Sequence, residues 1–167
     1  MVTKRPDKIS YYLKIAKDVA LRGSCHTRRR FGAILVKNDS IISTGYAGTI
    51  RGAINCGIDC KCIKDLYNES PNKSYEHCSS IHAEMNCIIN AARVGISTIG
   101  TTMYVAEVNG KSNCPCYLCR RFIVQAGIKY VYDGVDSNNY RLYNVETFVK
   151  MENDWIENQI KGVEKNV

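Results

Sequence analysis

The sequence predicts a single α/β domain in which helices cover both faces of a β-sheet. Helical and strand-like stretches alternate along the chain, and one strand–helix–strand segment favours a right-handed crossover between parallel strands. Hydrophobic residues make up 45% and charged residues 23% of the 167 positions, which is normal for a chain that buries a core. We therefore interpret residues 1–167 as one domain.

A helix and a hairpin are expected first. Residues Lys8 to Arg22 carry apolar side chains close to helical spacing and predict a helix that packs on the core. Phe31 to Val36 and Ile41 to Tyr46 are β-rich runs separated by Lys37-Asn38-Asp39-Ser40, which is typical of a hairpin turn. The sheet is expected to start with this hairpin.

A second helix is expected from about Ile81 to Arg93. Its apolar residues repeat at helical spacing, Ser80 is placed to cap its start, and Gly95 is placed to close its end. This helix begins with the histidine and the acidic residue that carry the chemistry below.

The second half of the chain supplies the crossover. Thr101 to Ala106, Pro115 to Ala126 and Ile128 to Tyr132 predict a strand, a helix and a strand parallel to the first. A terminal helix follows, and its apolar stripe is expected to contact the core. The stripe consists of Phe148, Met151, Trp155, Ile156 and Ile160.

A Cys-rich insert, at about residues 49–80, interrupts this order. It is long for a loop in a compact domain unless something holds it. The nine cysteines of the chain come without an export signal, because the start, Met1 to Lys8, is charged. A cytoplasmic protein that uses its thiols to bind metal is the leading explanation. The soft ligands of the insert are Cys56, Cys60, Cys62, His77 and Cys78.

Composition also limits the partners. No apolar run approaches the about 18 residues needed to cross a bilayer, so no membrane partner is expected. The net charge of +7 favours an anionic partner. A free nucleotide, a nucleic acid or mere solubility would each account for it.

The strongest motif pairs His82-Ala83-Glu84, at the start of one helix, with Pro115-Cys116-Tyr117-Leu118-Cys119, at the start of another. An imidazole and two thiolates are good zinc ligands, and Cys116 and Cys119 share one face of a helical turn. Three protein ligands leave the fourth position for water, whose pKa zinc lowers toward about 7.

Glu84 is not expected to be a fourth ligand, because it is two residues from His82 and points about 200° around the helix. Beside the metal it acts instead as general base and then general acid. A structural zinc site or a redox-active CxxC pair are the alternatives to a catalytic centre.

These motifs resemble the zinc-dependent cytidine and deoxycytidylate deaminases, whose signature is HxE followed by PCxxC. The order of segments is most similar to dCMP deaminases: Phe31 to Val36, Ile41 to Tyr46, the insert, His82 to Asn86, Tyr104-Val105, the PCxxC and Ala126-Gly127-Ile128. The resemblance implies a three-layer α/β/α fold with a mixed central sheet, and a homo-oligomer.

The reaction implied by the resemblance is hydrolytic deamination at C4 of cytosine, most simply dCMP to dUMP. Glu84 is then the proton shuttle, a hydroxide on the zinc is the nucleophile, and the Ala83 N–H holds the pyrimidine carbonyl. Arg28 matches an arginine that meets the nucleotide phosphate in relatives. Two departures stand out: Ala47 replaces an expected asparagine, and residues 107–113 lengthen the approach to PCxxC.

The resemblance also implies a second, structural zinc ion. Its ligands are a cysteine before the first strand and cysteines or a histidine of the insert. Mapped by motif they are Cys25, Cys56, Cys62 and Cys78, with Cys60 or His77 as alternates.

Two other functions remain open at this point. The first is a deaminase of another base or of a nucleic acid, as in tRNA adenosine deaminases. The second is a zinc-stabilised binding protein without activity.

Overall fold

The computed structural model describes residues 5–24, 29–67, 77–110 and 114–164, without the side chains of 163 and 164. Cys25 and Arg28 therefore lie outside the described residues. In chain order the elements are α1 (Lys8–Ala20), β1 (Phe31–Lys37), β2 (Ser40–Tyr46), β3 (Gly48–Thr49), α2 (Ile63–Leu66), β4 (Ser80–Ile81), α3 (Ala83–Arg93), β5 (Thr102–Glu107), α4 (Tyr117–Gln125), β6 (Tyr130–Asp136), β7 (Asn139–Asn144) and α5 (Glu146–Glu164).

The strands form a mixed sheet in the order β2-β1-β5-β6-β7. β1 runs antiparallel to both β2 and β5, whereas β5 and β6 are parallel and are joined through α4. β7 returns antiparallel to β6. The α/β class and the parallel crossover predicted from the sequence are both confirmed.

The β1–β2 hairpin turns through Asn38 and Asp39, whose φ angles are +48° and +60°. Asparagine and aspartate tolerate this left-handed region better than other non-glycine residues, and two such residues in succession suit the twist of a two-residue hairpin. The predicted turn is therefore confirmed.

Alternation along the central strands sorts their side chains between two apolar layers. Ile34 of β1 and Tyr104 of β5 pack with α1 on one face. Leu35 of β1 and Val105 of β5 pack with α3 and α4 on the other face. The molecule thus has three layers, α/β/α, as the resemblance implies.

Gly45 explains how closely α3 lies against β2. A Cβ atom at Gly45 would stand 2.2 Å from the Cys87 backbone nitrogen and 2.5 Å from the Ala83 carbonyl oxygen. Only glycine permits this approach, because such distances are far inside van der Waals contact. The start of α3 is thereby fixed against the sheet.

Two predictions about the elements are wrong, and one strand was not predicted. Ser80 does not cap α3, because Ser80–Ile81 pair with Gly48–Thr49 as a short antiparallel bridge and His82 becomes the N-cap. β7 was not predicted, since its residues alternate too weakly to mark a strand.

The second wrong prediction concerns the apolar stripe of the terminal helix. Phe148 is buried, but Met151, Trp155, Ile156 and Ile160 are exposed, because α5 leaves the core after its first turn. Among the described residues no helix combines the length and apolar character that a membrane span requires.

Candidate active site and metal centre

The histidine of one motif and the first cysteine of the other lie at the starts of α3 and α4. His82 is the N-cap of α3 and Cys116 is the N-cap of α4, both with extended backbone. The Cys116 sulfur accepts a hydrogen bond from the Cys119 backbone N–H at 3.5 Å. Each helix start therefore presents a soft ligand at the partially positive end of its dipole.

Three donor atoms converge within this site. His82 Nδ1 lies 3.4 Å from Cys116 Sγ and 3.4 Å from Cys119 Sγ. The three donors all lie within 4.8 Å of one another. Within the described parts of the chain, no other three histidine, cysteine or carboxylate side chains converge in this way.

The donor set fits zinc. Around a tetrahedral zinc ion, with sulfur at about 2.3 Å and nitrogen at about 2.0–2.1 Å, a nitrogen and a sulfur stand about 3.6 Å apart. The observed separations of 3.4 Å agree with this spacing. One imidazole and two thiolates leave one tetrahedral position without a protein ligand.

The thiols interact strongly with one another and with the imidazole. Hydrogen bonds from the Cys119 thiol, from His82 and from the Cys119 backbone N–H lower the pKa of Cys116 to about 3. The Cys119 pKa is raised, since its thiol donates to Cys116 and is buried beside Glu84. The hydrogen bond to Cys116 raises the pKa of His82 against the effect of burial. Such a pocket holds negative charge that a cation would neutralise.

Glu84 is buried in the first turn of α3 and lies beside the donor atoms. Burial raises its pKa, while its own backbone N–H and the neighbouring His82 act in the opposite direction. The Cys119 thiol is within hydrogen-bond reach of its carboxylate. A carboxyl group with a raised pKa next to a metal site is suited to receive and return a proton.

Ala83 is buried between His82 and Glu84 as the first residue of α3. At this end of α3 the Asn86 N–H donates to the His82 carbonyl at 3.0 Å, which is the first i to i−4 bond of the helix. The N–H of Ala83 precedes it and has no partner within the helix by position.

Asn86 has a structural role beside the site that the sequence did not reveal. Its Nδ2 donates to the Tyr46 carbonyl at 2.8 Å and to the Ile81 carbonyl at 3.4 Å. It thus fastens the end of β2 to the residue that precedes His82. The asparagine is visible in the motif, but its hydrogen-bond partner Tyr46 is forty positions away in the sequence and could not be predicted from it.

Glu107 also departs from expectation. It was expected in the segment that lengthens the approach to PCxxC, but it is the last residue of β5 and pairs with Phe31 of β1. Its side chain is buried and forms an ion pair with Arg29. A charged residue is typical of a loop, and only a partner 78 positions away makes it compatible with a buried strand end.

The insert brings some of its thiols together. Cys56 and Cys62 are buried. The backbones of Cys56 and Cys60 pair through an isolated parallel β-bridge. Burial and the proximity of Cys62 and Cys60 raise the pKa of Cys56. Cys78 is half-buried, and His77 stacks on the Tyr67 ring with centroids 4.6 Å apart. The described cysteines are all free thiols.

The fold and the site together define a metal-binding α/β/α protein with a histidine and two cysteines as ligands. Residues 6–135 match the family model described as the cytidine and deoxycytidylate deaminase zinc-binding region. The chain belongs to this family, which confirms the resemblance of its motifs and assigns zinc to the donor set.

Curated relatives support the same family. Deoxycytidylate deaminase of Schizosaccharomyces pombe is 35% identical over 127 residues, which cover 76% of this chain and 37% of the relative. ComE operon protein 2 of Bacillus subtilis is 35% identical over 128 residues, which cover 75% of this chain and 58% of the relative. Deoxycytidylate deaminase of Mycobacterium phage D29 is 34% identical, with 76% and 94% covered. The chain thus spans only about a third to three fifths of the first two relatives.

Among solved structures, dCMP deaminase from the cyanophage S-TIM5 in complex with dCMP and dUMP is similar in fold. It is 29% identical, with a TM-score of 0.57, and the match covers 77% of this chain and 82% of that chain. A cytidine deaminase from Burkholderia pseudomallei, 15% identical with a TM-score of 0.58, shares the fold.

Proposed function

We propose that the protein is a zinc-dependent aminohydrolase that converts dCMP and water to dUMP and ammonia. The observation that carries the proposal is the buried carboxyl of Glu84 beside the three converging donors of His82, Cys116 and Cys119. Relatives named deoxycytidylate deaminase, and a similar solved structure that holds dCMP and dUMP, support the choice of substrate.

His82, Cys116 and Cys119 hold the catalytic zinc in this proposal. The ion, when bound, polarises a coordinated water and lowers its pKa toward about 7. The chain contributes the two helix starts that present the ligands.

Glu84 moves the proton. Its carboxylate removes a proton from the attacking water and passes it to N3 of cytosine. It then takes the remaining proton of the new C4 hydroxyl and delivers it to the amino nitrogen, which leaves as ammonia. Burial favours the protonated carboxyl between these steps, because it raises the pKa. The two transfers balance, so Glu84 returns to its starting state when ammonia leaves.

Two contacts position the substrate. The Ala83 N–H, at the positive end of α3, donates to the pyrimidine O2. Arg28 pairs with the 5′-phosphate through its planar donor fork. Ala47 stands where relatives usually have an asparagine, and its methyl side chain cannot form the hydrogen bond that an asparagine would make. A nucleotide is therefore recognised with one side-chain contact fewer than in typical relatives.

A second zinc ion belongs to the proposal as a structural element of the insert. Its ligands are Cys25, Cys56, Cys62 and Cys78, with Cys60 or His77 as alternates. The burial of Cys56 and Cys62 and their mutual interaction support it. Elemental analysis is expected to give two zinc ions per chain.

Variants in the insert test this ion directly. Cys56→Ser and Cys62→Ser are each expected to lose one ion and to lower Tm. Cys87→Ser is the matched control, since Cys87 is a buried thiol of α3 whose pKa burial raises to about 12. One ion per chain, together with an unchanged Tm in both insert variants, would contradict the second site.

The domain organisation, assembly, compartment and partner belong to the same proposal. Residues 1–167 act as one deaminase domain that assembles into a homo-oligomer. The cytoplasm suits it, because reduced thiols are needed as ligands. A small nucleotide is the partner, in preference to a nucleic acid.

A substrate panel tests the proposed function. Zinc-loaded protein is incubated with dCMP, CMP, deoxycytidine, single-stranded DNA and tRNA, and ammonia release is measured for each. Turnover of dCMP above the other substrates is expected. Turnover of a nucleic acid alone, or of none of them, would contradict the assignment.

A further inference from the structure

Glu107, the buried last residue of β5, forms an ion pair with Arg29, which is exposed and precedes β1. Arg29 Nη2 donates to Glu107 Oε2 at 2.5 Å, with the Glu107 side chain 2% exposed and the Arg29 side chain 40% exposed. The guanidinium carbon also lies 4.8 Å from the centroid of the Phe31 ring. The carboxylate and the ring together hold the guanidinium in one place, with one side open to solvent.

The pair faces the same side of the sheet as the zinc site. Along β5, Met103 and Val105 contact the core that contains α3 and α4, and Glu107 follows them at the same alternating positions. Phe31, the strand partner of Glu107, packs against that core as well. The guanidinium therefore stands over the face of the sheet that carries His82, Cys116 and Cys119.

Two hydrogen bonds bring the start of β1, where the pair lies, close to the start of α3. The Phe31 carbonyl accepts from the Ala47 N–H at 2.9 Å. The neighbouring Tyr46 carbonyl accepts from Asn86, a residue of the first turn of α3 that also reaches Ile81. The start of β1, the end of β2 and the start of α3 thus meet at one edge, beside His82.

We propose that Arg29 is a specificity-determining residue for the 5′-phosphate and that Glu107 is its positioning residue. The inference rests on the proposed function and deepens it. An anion that enters from solvent meets the exposed guanidinium before the carboxylate, which lies behind it in the protein. Because Glu107 fixes the guanidinium in advance, the nucleotide does not have to order that side chain on binding.

A purely structural explanation of the pair makes a different prediction. If Arg29 serves only to neutralise a buried carboxylate, its loss damages the protein by leaving Glu107 uncompensated. Removal of both charges would then restore the wild-type behaviour towards every ligand. If Arg29 also attracts phosphate, removal of both charges restores stability alone.

The experiment compares dUMP with deoxyuridine, which differ only in the phosphate. Calorimetry on the zinc-loaded full chain gives the Kd of each ligand for the wild type, Arg29→Ala, Glu107→Gln and the double variant Arg29→Ala/Glu107→Gln. Lys8→Ala is the matched control, because Lys8 forms an exposed ion pair of 2.6 Å with Asp39, in the hairpin turn at the opposite end of β1.

Arg29→Ala is expected to weaken dUMP binding by roughly tenfold to a hundredfold, the range for a hydrogen bond to a charged group, and to change deoxyuridine binding little. Glu107→Gln is expected to weaken dUMP binding by a smaller factor. The double variant is expected to regain the Tm of the wild type yet keep the weak binding of dUMP. Lys8→Ala should bind both ligands as the wild type does.

Three results would overturn the inference. They are wild-type dUMP affinity in the double variant, equal losses for dUMP and deoxyuridine in Arg29→Ala, and a wild type that binds dUMP no more tightly than deoxyuridine. In each case, deamination of deoxycytidine or dCMP by the wild type would leave the zinc chemistry of the proposed function intact. Absence of all deamination, with the expected pattern of binding, would instead reject only the reaction.

Discussion

The Ser43 hydroxyl donates a buried hydrogen bond of 2.7 Å to the carbonyl oxygen of Cys87. Ser43 lies in β2 and Cys87 in α3, so this bond joins the sheet to the helix that carries Glu84. It stands beside the close approach at Gly45, where no side chain fits between the two elements. The position of Glu84 is thus set by polar as well as apolar contacts.

Ser43→Ala is expected to lower the free energy of unfolding by about 1 kcal/mol, the typical net value of one intramolecular hydrogen bond. Denaturant unfolding measures it. Thr44→Ala is the control, because Thr44 is exposed on the same strand and its loss should change the free energy by about 0.5 kcal/mol or less. Equal effects of the two substitutions would show that the Ser43 bond contributes nothing specific.

Glu84→Gln is expected to keep the fold and the bound zinc but to lower kcat for dCMP by roughly a hundredfold to ten-thousandfold. The amide cannot accept the proton of the attacking water. Steady-state kinetics and elemental analysis check both parts. Glu152→Gln, on α5 and paired with Arg121, is the matched control. Turnover near the wild-type rate in Glu84→Gln would reject the proton transfer.

Cys116→Ser and Cys119→Ser are each expected to lose the catalytic zinc, because a hydroxyl is a far weaker ligand than a thiolate. Elemental analysis of the purified variants measures the loss. A chelator should strip this site from the wild type before the second site proposed in the insert, since three protein ligands would hold its ion rather than four. Full retention of zinc in either variant would show that the ligands are misassigned.

Asp7 is expected to stabilise α1 in a pH-dependent way. Its carboxylate accepts from the Ser10 N–H at 2.9 Å and from the Ser10 hydroxyl at 2.8 Å, which lowers the pKa of Asp7 from 3.8 to about 2. A pKa that is lower in the folded state means that the stabilisation is present above pH 3.8 and disappears as the pH falls through 2.

Asp7→Ala is accordingly expected to lower Tm at pH 7, with a difference from the wild type that shrinks between pH 4 and pH 2, as the sign of this pKa shift requires. Thermal unfolding across this range measures it. Asp18→Ala provides the comparison, since Asp18 is an exposed carboxylate near the end of the same helix. A constant difference at every pH would contradict the assigned role of the charge.

Local patterns were sufficient to predict much of the fold and the metal ligands. The hairpin at Asn38-Asp39 depends on residues that favour a left-handed turn, and α4 depends on a proline and two cysteines within one helical turn. His82, Cys116 and Cys119 were recognisable because their ligand chemistry is tied to their spacing. Each of these signals is contained within a few neighbouring residues.

The errors arose where distant partners decide the structure. Ser80 is a good capping residue, but pairing with Thr49 draws it into a strand. Glu107 has the polarity of a loop residue, but Arg29 compensates its charge inside the protein. Amphipathic spacing in α5 marks an apolar side without stating what covers it, and after Phe148 the apolar side chains of the stripe remain exposed.

Trp155 gives this exposed side of α5 a spectroscopic property. It is the single tryptophan of the chain, its side chain is 52% exposed, and the Arg121 guanidinium lies 5.6 Å from the ring centroid. Intrinsic fluorescence excited at the tryptophan band therefore reports on α5 and its surroundings rather than on the sheet or the zinc site. A second copy that covers the helix would shift the emission to shorter wavelength as the protein concentration rises, and the unlabelled protein would report its own assembly.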